Sequence, residues 1–407
     1  METPTFARAA RLWAVFGCVT FGGPAAQIAL MHSELVERRR WISAEDFTRA
    51  LGFCFLLPGP EAQQLATYIG WHLHGTRGAI VAGTLFVLPS ALLLWALSVL
   101  YVLGGGSPIV AGFFSGLLPV VVALVILACV RLARRATTKP ASILAATLAF
   151  LAFTFFHTPF PLVLLLAAGV GYLLPSRFTD TVAPTVLVRE PRTSTLRPAA
   201  IAAALWLIPV ILLVVLERGL LARLAVFFSA TSVMSFGGAY AILPYVAQSA
   251  VSSGWLTPDQ MLAGLGLAET TPGPLIIVLQ FVGFVAAWNQ PGTLPPLLAA
   301  TLGALVATWT TFLPSFVWIF LGAPHVRRIQ NHVRLASALA AISAVVVGMM
   351  ASLAFWMATH ILVLSSGGVD VVAAAICLLV LVSHRLGALP LVLIGGVLGV
   401  ARAAFTI

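Results

Sequence analysis

The chain has 407 residues, 60% of them hydrophobic and only 8% charged, with a mean hydropathy of +1.06. A soluble globular chain carries roughly 25% charged residues, so this composition excludes an ordinary water-soluble fold and implies an all-α polytopic membrane protein embedded in a lipid bilayer. The net charge of +10 does not imply a nucleic-acid partner, because most Lys and Arg residues lie between apolar runs, where they set orientation.

Arg8 and Arg11 precede the first apolar run, and no small-residue cleavage site follows, which reads as mature sequence rather than a signal peptide. That run is interrupted by TFGGPAAQ at 20–27. A polar loop follows, RRRWISAEDF at 38–47, in which Arg38, Arg39 and Arg40 beside Trp41 read as an interfacial anchor. The second interruption is LLPGPEAQQLATYIGW at 56–71, and His72, His74 and Arg77 mark an interfacial loop after it. Four uninterrupted apolar runs are expected at 79–103, 109–130, 141–156 and 160–175. A polar segment, 176–198, and an extra apolar run, 199–216, then lead into the second half.

The second half repeats the first. SFGGAYAI at 235–242 answers the first interruption, SSGWLTPDQM at 252–261 the tryptophan loop, and ETTPGPLIIVLQFVGF at 269–284 the second interruption. Trp41 precedes Pro58 by 17 residues, and Trp255 precedes Pro272 by 17. Gly70 and Gly283 follow, and LPS closes each block, at 88–90 and 313–315. Four apolar runs again come after, at 294–321, 335–363, 369–383 and 386–404. This gives three units: a first repeat over 1–175, a linker with an extra transmembrane helix over 176–218, and a second, inverted repeat over 219–407.

Charge counting selects a topology. With every interrupted element crossing the membrane, 15 of the 22 Lys and Arg fall inside; with only the PGP elements turning back, 14 do. With both FGG and PGP elements turning back, 19 are inside and only Arg218, Arg223 and Arg402 are outside. The positive-inside rule therefore favours nine full spans plus four re-entrant helical hairpins, against 13 segments if all cross. Either way the extra run places the two repeats in opposite orientations, an arrangement typical of secondary transporters.

Pro and Gly end helices, and in lipid each freed backbone group costs several kcal/mol unless protein or water satisfies it. Four matched breaks therefore indicate a site. The half-helices starting at Pro24, Glu61, Ala239 and Leu275 would each present an N-terminus carrying about half a positive charge, about two in all if they converge, which suits a dianion. Gly22, Gly23, Gly59, Gly237, Gly238 and Gly273 let backbone approach a substrate, and Gln63, Gln64, Thr270 and Thr271 are candidate neutral donors. Glu61 and Glu269 are the acidic residues well inside apolar segments. Intramembrane ionisable residues are functional candidates, and a proton taken up as the anion binds and released as it leaves would couple the two fluxes. Arg49 and Arg77 bracket the first PGP element; either could attract an anion, though orientation alone accounts for both, and Ala263 stands where Arg49 would recur.

The residues leave other readings open: a proton-coupled cation carrier using Glu61 and Glu269, or an anion channel. An enzyme is disfavoured, since no Ser–His or HExxH pattern recurs at bilayer depth. The scattered Cys18, Cys54, Cys129 and Cys377 give neither a disulfide framework nor a metal site. No cofactor is expected. The oligomeric state, a homodimer included, is not fixed by sequence.

FGGP at 21–24, LLPGPEAQQLATYIG at 56–70, the LPS turns, the second FGG and ETTPGPLIIVLQFVGF together resemble the chromate ion transporter (CHR) family in its long two-domain form. The resemblance is strongest over 15–90 and 228–320. It implies two homologous halves of opposite orientation in the bacterial inner membrane, and export of chromate driven by the proton gradient, conferring resistance, with sulfate as competitor. Ala239 stands where the first copy has Pro24, so the two halves are not equivalent. Only the resemblance names chromate, because spacing does not separate two tetrahedral dianions of similar size.

Overall fold

The computed structural model describes residues 4–21, 23–105, 107–156, 158–178, 195–216, 219–236, 238–325, 332–364, 369–382 and 388–405. Among the described residues all regular structure is helical. In chain order the helices are α1 (Phe6–Val19), α2 (Gly23–His32, running on as a π-turn Ser33–Arg38), α3 (Ala44–Cys54) and α4 (Glu61–Gly104). Then come α5 (Pro108–Ala136), α6 (Pro140–Phe155), α7 (Phe160–Leu173), the single turn α8 (Pro175–Phe178) and α9 (Leu196–Leu216). The second half holds α10 (Leu220–Met234), α11 (Ala239–Ser252), α12 (Pro258–Thr270), a 3₁₀ turn (Leu275–Ile277) leading into α13 (Val278–Asn289), and α14 (Pro296–Gly322). The chain ends with α15 (Val333–Leu364), α16 (Val369–Val382) and α17 (Ala388–Phe405). The expected uninterrupted runs all fall on helices, and the extra run 199–216 is α9. Most of the polar segment 176–198 lies outside the described residues.

Among the described residues five helices are long and apolar enough to cross a bilayer, α5, α9 and α14 included, and several shorter apolar helices accompany them. Large apolar side chains such as Leu92, Leu144, Leu165, Ile211 and Leu398 are exposed around them. Soluble proteins seldom expose apolar patches beyond a few hundred Å², so this surface is a lipid-facing one and the protein is an integral membrane protein.

Helix α4 is not one rod. His74 (φ −138°, ψ 22°) and Gly75 (φ 61°, ψ −152°) reverse the chain, leaving arms 61–73 and 76–104. The arms pack back to back through small residues: a Cβ on Gly70 would lie 2.6 Å from the Cβ of Ala82 and closer still to the Gly78 carbonyl. Helices α13 and α14 meet in the same manner, where a Cβ on Gly283 would lie 2.5 Å from the Gly303 carbonyl and 2.7 Å from the Ala307 Cβ. Lipid tails are as apolar as Leu, so such helices gain little from exclusion of water and associate through close backbone approach instead.

The Trp loops set up the helices that follow them. In the first, Ser43 caps α3, its hydroxyl accepting from the Asp46 N–H at 3.0 Å. In the second, Thr257 and Gln260 form a reciprocal capping box at the start of α12. Ser and Thr are favoured there because their oxygens satisfy first-turn N–H groups. The C-terminal helices of the two halves cross over: α5 packs on α16 and α17, while α15 packs on α6 and α7. Glycines again line these seams. A Cβ on Gly116 would come within 2.8 Å of the Gly399 Cα, and one on Gly171 within 2.6 Å of the Ser337 carbonyl.

Candidate functional site

Each break ends one helix and begins another. After FGG and PGP the new helices start at Gly23, Glu61, Ala239 and Leu275, against expected starts at Pro24, Glu61, Ala239 and Leu275. Gly59 (φ +126°) and Gly273 (φ +106°) occupy backbone conformations that L side chains rarely adopt, which is why glycine stands between the two prolines of each turn.

The breaks meet in two crossed pairs. The Gly59 N–H donates to the Ser235 carbonyl at 2.9 Å, tying the first PGP turn to the second FGG break. The Gly273 N–H donates to the Thr20 carbonyl at 2.8 Å, tying the second PGP turn to the first FGG break. The two pairs are also joined: a Cβ on Gly23, at the start of α2, would lie 3.1 Å from the Tyr240 hydroxyl, one residue into α11. That hydroxyl donates to Glu269 Oε1 at 3.4 Å. The Glu61 carboxylate lies against Gly238, where a Cβ would be 2.9 Å from Oε2. Both glutamates are buried.

A glutamine and a serine hold each PGP turn. Gln64 Nε2 donates to the Pro58 carbonyl at 2.7 Å, and Gln27 Nε2 donates to the Gly273 carbonyl. Ser315 lies beside Gly59, 3.0 Å from where its Cβ would be, and Ser90 beside Gly273 at 2.5 Å. These serines close the LPS triplets, so each LPS buttresses the PGP turn of the opposite half. The Gln63 amide donates to the Phe312 carbonyl at 3.4 Å. The Thr270 and Thr271 hydroxyls both donate to the Leu267 carbonyl at 2.7 Å. All four side chains expected as donors thus give a hydrogen bond to a backbone carbonyl here, and the first helical turns add N–H groups that have no intrahelical partner.

A family model described as "Chromate transporter" matches residues 8–172 and 222–400. The chain belongs to the chromate transporter family. It is 33% identical over 350 residues to a chromate transport protein of Pseudomonas aeruginosa, covering 82% of this chain and 77% of that protein. It is 30% identical over 313 residues to a chromate transport protein of Cupriavidus metallidurans, covering 77% and 72%. A shorter relative, an uncharacterized transporter of Bacillus subtilis, is 37% identical over 105 residues, which are 26% of this chain and 53% of that protein. No solved structure matches. The family's members are transport proteins by name, and this chain is a transporter rather than an enzyme.

For a member of this family, the structure brings Gly23, Gly59, Gly238, Gly273, Glu61, Glu269, Gln63, Gln64, Thr270 and Thr271 to the crossed breaks. Gly22 and Gly237 lie outside the described residues. Arg49 and Arg77 stand apart. Arg49 is mid-way along α3 and salt-bridged to Asp46 at 3.0 Å. Arg77 is exposed just past the α4 reversal, at the far end of a 13-residue arm, about 20 Å from the break at 1.5 Å per residue. Sequence reasoning missed Gln27, Tyr240, Ser90 and Ser315, although the recurring LPS signalled the serines. It also assigned Arg131 and Arg135 to topology alone, whereas Arg131 lies within electrostatic reach of Glu269 and Tyr240, and Arg135 within reach of Glu61. They are one turn apart on α5 and share a face. Among the described residues no three His, Cys, Asp or Glu side chains group as a transition-metal site.

Proposed function

We propose that this protein is a secondary transporter that exports chromate across a bacterial inner membrane by alternating access, coupled to the proton gradient, with sulfate as a competitor. The observation that carries this reading is the crossed pairing of four helix breaks. It gathers the N-terminal turns of α2, α4, α11 and the 3₁₀–α13 segment, and aligned N-terminal dipoles favour an anion. The chromate assignment is supported by the names of the relatives from Pseudomonas aeruginosa and Cupriavidus metallidurans.

The repeat organisation belongs to the same proposal: a first repeat over 1–175, a linker and extra helix over 176–218, and an inverted second repeat over 219–407. The two family matches fall within these repeats, and α9 is the element without a counterpart. The arms at each PGP turn, α3 and 61–73 in the first half and α12 and α13 in the second, have 11 to 13 residues. At 1.5 Å per residue each is about 20 Å or less, short of a hydrocarbon core of about 30 Å. Hairpins entering partway, with nine full spans around them, remain the topology favoured by the charge distribution.

In the mechanism, Glu61 and Glu269 are the proton carriers. Ionised, they oppose a dianion and attract Arg135 and Arg131. Protonated, they cease to repel it; with fewer than two protons carried per dianion the loaded site moves outward with net negative charge, so the inside-negative membrane potential drives export. Exchange of the crossed hydrogen bonds at Gly59 and Gly273 would let each hairpin tip move against the opposite half. Chromate uptake into inside-out vesicles tests the reading. Accumulation that needs the proton gradient and falls with added sulfate supports it. Accumulation that survives collapse of the gradient removes the proton coupling, and no accumulation removes the substrate assignment.

A further inference from the structure

The first PGP turn carries a set of side-chain oxygens, two of them amide oxygens that can only accept. In Gln63 and Gln64 the amide nitrogen faces a backbone carbonyl, which can only accept, so chemistry fixes the amide orientation and leaves Oε1 as the free end. Both Oε1 atoms are buried without a partner, as are Ser315 Oγ and Thr311 Oγ1. All four residues are 1% exposed or less. Thr311 and Ser315 share one turn of α14 and Gln63 and Gln64 the first turn of α4; Ser315 Oγ and Gln64 Nε2 lie 3.0 and 2.8 Å from the position a Gly59 Cβ would take. Burying a polar group without a partner is costly, so these four groups together call for an occupant.

The occupant these groups favour is positive. Helices α3 and α10 end at this turn, at Cys54 and Met234, bringing carbonyl-rich, partially negative C-termini to it. Glu61 is three residues before Gln64 on the same face of α4. Arg135 reaches Glu61 electrostatically, but its side chain is exposed and screened by water. The second PGP turn differs: Gln27 Oε1 is orphaned there, but Ser90 is satisfied by the Val87 carbonyl at 2.7 Å.

We propose that the pocket between the first turn of α4 and residues 311–315 of α14 is a sodium-sized monovalent cation site, with Gln63 Oε1, Gln64 Oε1, Ser315 Oγ and Thr311 Oγ1 as ligands and Glu61 as counter-charge. Amide, hydroxyl and carboxylate oxygens are the donors hard cations take, and broken transporter helices pair anion-binding N-termini with cation-binding carbonyl ends. A cation here bridges the two halves of the chain at one PGP turn only, and competes with a proton for Glu61. The inference goes beyond the chromate reading and does not depend on it.

The test is thermal unfolding of the purified full-length protein in detergent, at constant ionic strength, in sodium, potassium or choline chloride, with radioactive sodium binding measured alongside. Sodium should raise the midpoint by several degrees over choline, as a ligand of the native state does by mass action, with saturable sodium uptake. Ser315→Ala and Thr311→Val should each weaken that uptake at least tenfold while the protein remains monodisperse. Equal midpoints in sodium and choline without saturable uptake would overturn the site and leave water as the occupant. Sodium binding unaffected by both variants would overturn the ligand assignment. Chromate uptake by the same preparation reads the transport proposal separately: transport without sodium binding sinks only the cation site, and sodium binding without chromate transport sinks only the substrate.

Discussion

Gly59 and Ser235 are joined by a hydrogen bond of 2.9 Å from N–H to carbonyl, and this contact ties a turn of the first half to a break of the second. Gly273 and Thr20 make the reciprocal bond at 2.8 Å. Neither glycine can take a side chain: both have positive φ, and an added Cβ would press on Gln64 Nε2 at 2.8 Å or Ser90 Oγ at 2.5 Å. Gly59→Leu and Gly273→Leu are each expected to abolish chromate transport while the protein still inserts, read by vesicle uptake against membrane-fraction abundance. Retained transport in both would remove the site assignment.

Glu61→Gln and Glu269→Gln separate coupling from binding. Each keeps shape and removes the titratable group. Accumulation driven by an imposed proton gradient should be lost in both, while exchange of internal sulfate for external chromate continues in proteoliposomes. Full gradient-driven accumulation in either variant would free that glutamate from the coupling role.

The arginines divide by position. Arg131→Gln and Arg135→Gln remove charges within reach of Glu269 and Glu61; both side chains are exposed and screened, so each is expected to raise KM for chromate by only about threefold. Arg49→Gln removes the pair with Asp46 on α3, away from the crossed breaks. Its KM should stay within about twofold of the parent, and initial-rate uptake measures all three.

Gly116→Leu tests the seam between the halves. A Cβ at this position has no room, with the Gly399 Cα 2.8 Å away and the Gly395 carbonyl nearer. Overpacking a close-packed seam costs about 1–3 kcal/mol, so the detergent-solubilised variant should unfold several degrees below the parent and lose monodispersity. An unchanged midpoint would mean that α5 and α17 do not pack this way in the membrane.

Much of the helical plan was legible because two signals are local. Apolar runs bounded by charged loops give helices, and Pro–Gly–Pro stops one whatever surrounds it. The four new helices start at Gly23, Glu61, Ala239 and Leu275, one residue or less from expectation. Arg131 and Arg135 were illegible for the opposite reason. They sit in a cluster of basic residues that topology already explains, and only the packing of α5 brings two of them within electrostatic reach of the glutamates. Thr270 and Thr271 were expected as ligand donors from residue type, but a hydroxyl three or four residues past a helix carbonyl bonds back to it, here Leu267.

By itself the sequence determined that this is a helical membrane protein with four interrupted elements, because hydropathy and the missing proline donor act within a few residues. The tertiary structure decided which break meets which. The partners of Gly59 and Gly273 lie in the opposite half, and so do the serines that buttress them. Such pairings follow from how the glycine-lined helices pack across the two halves, and that packing has no trace in the spacing along either one.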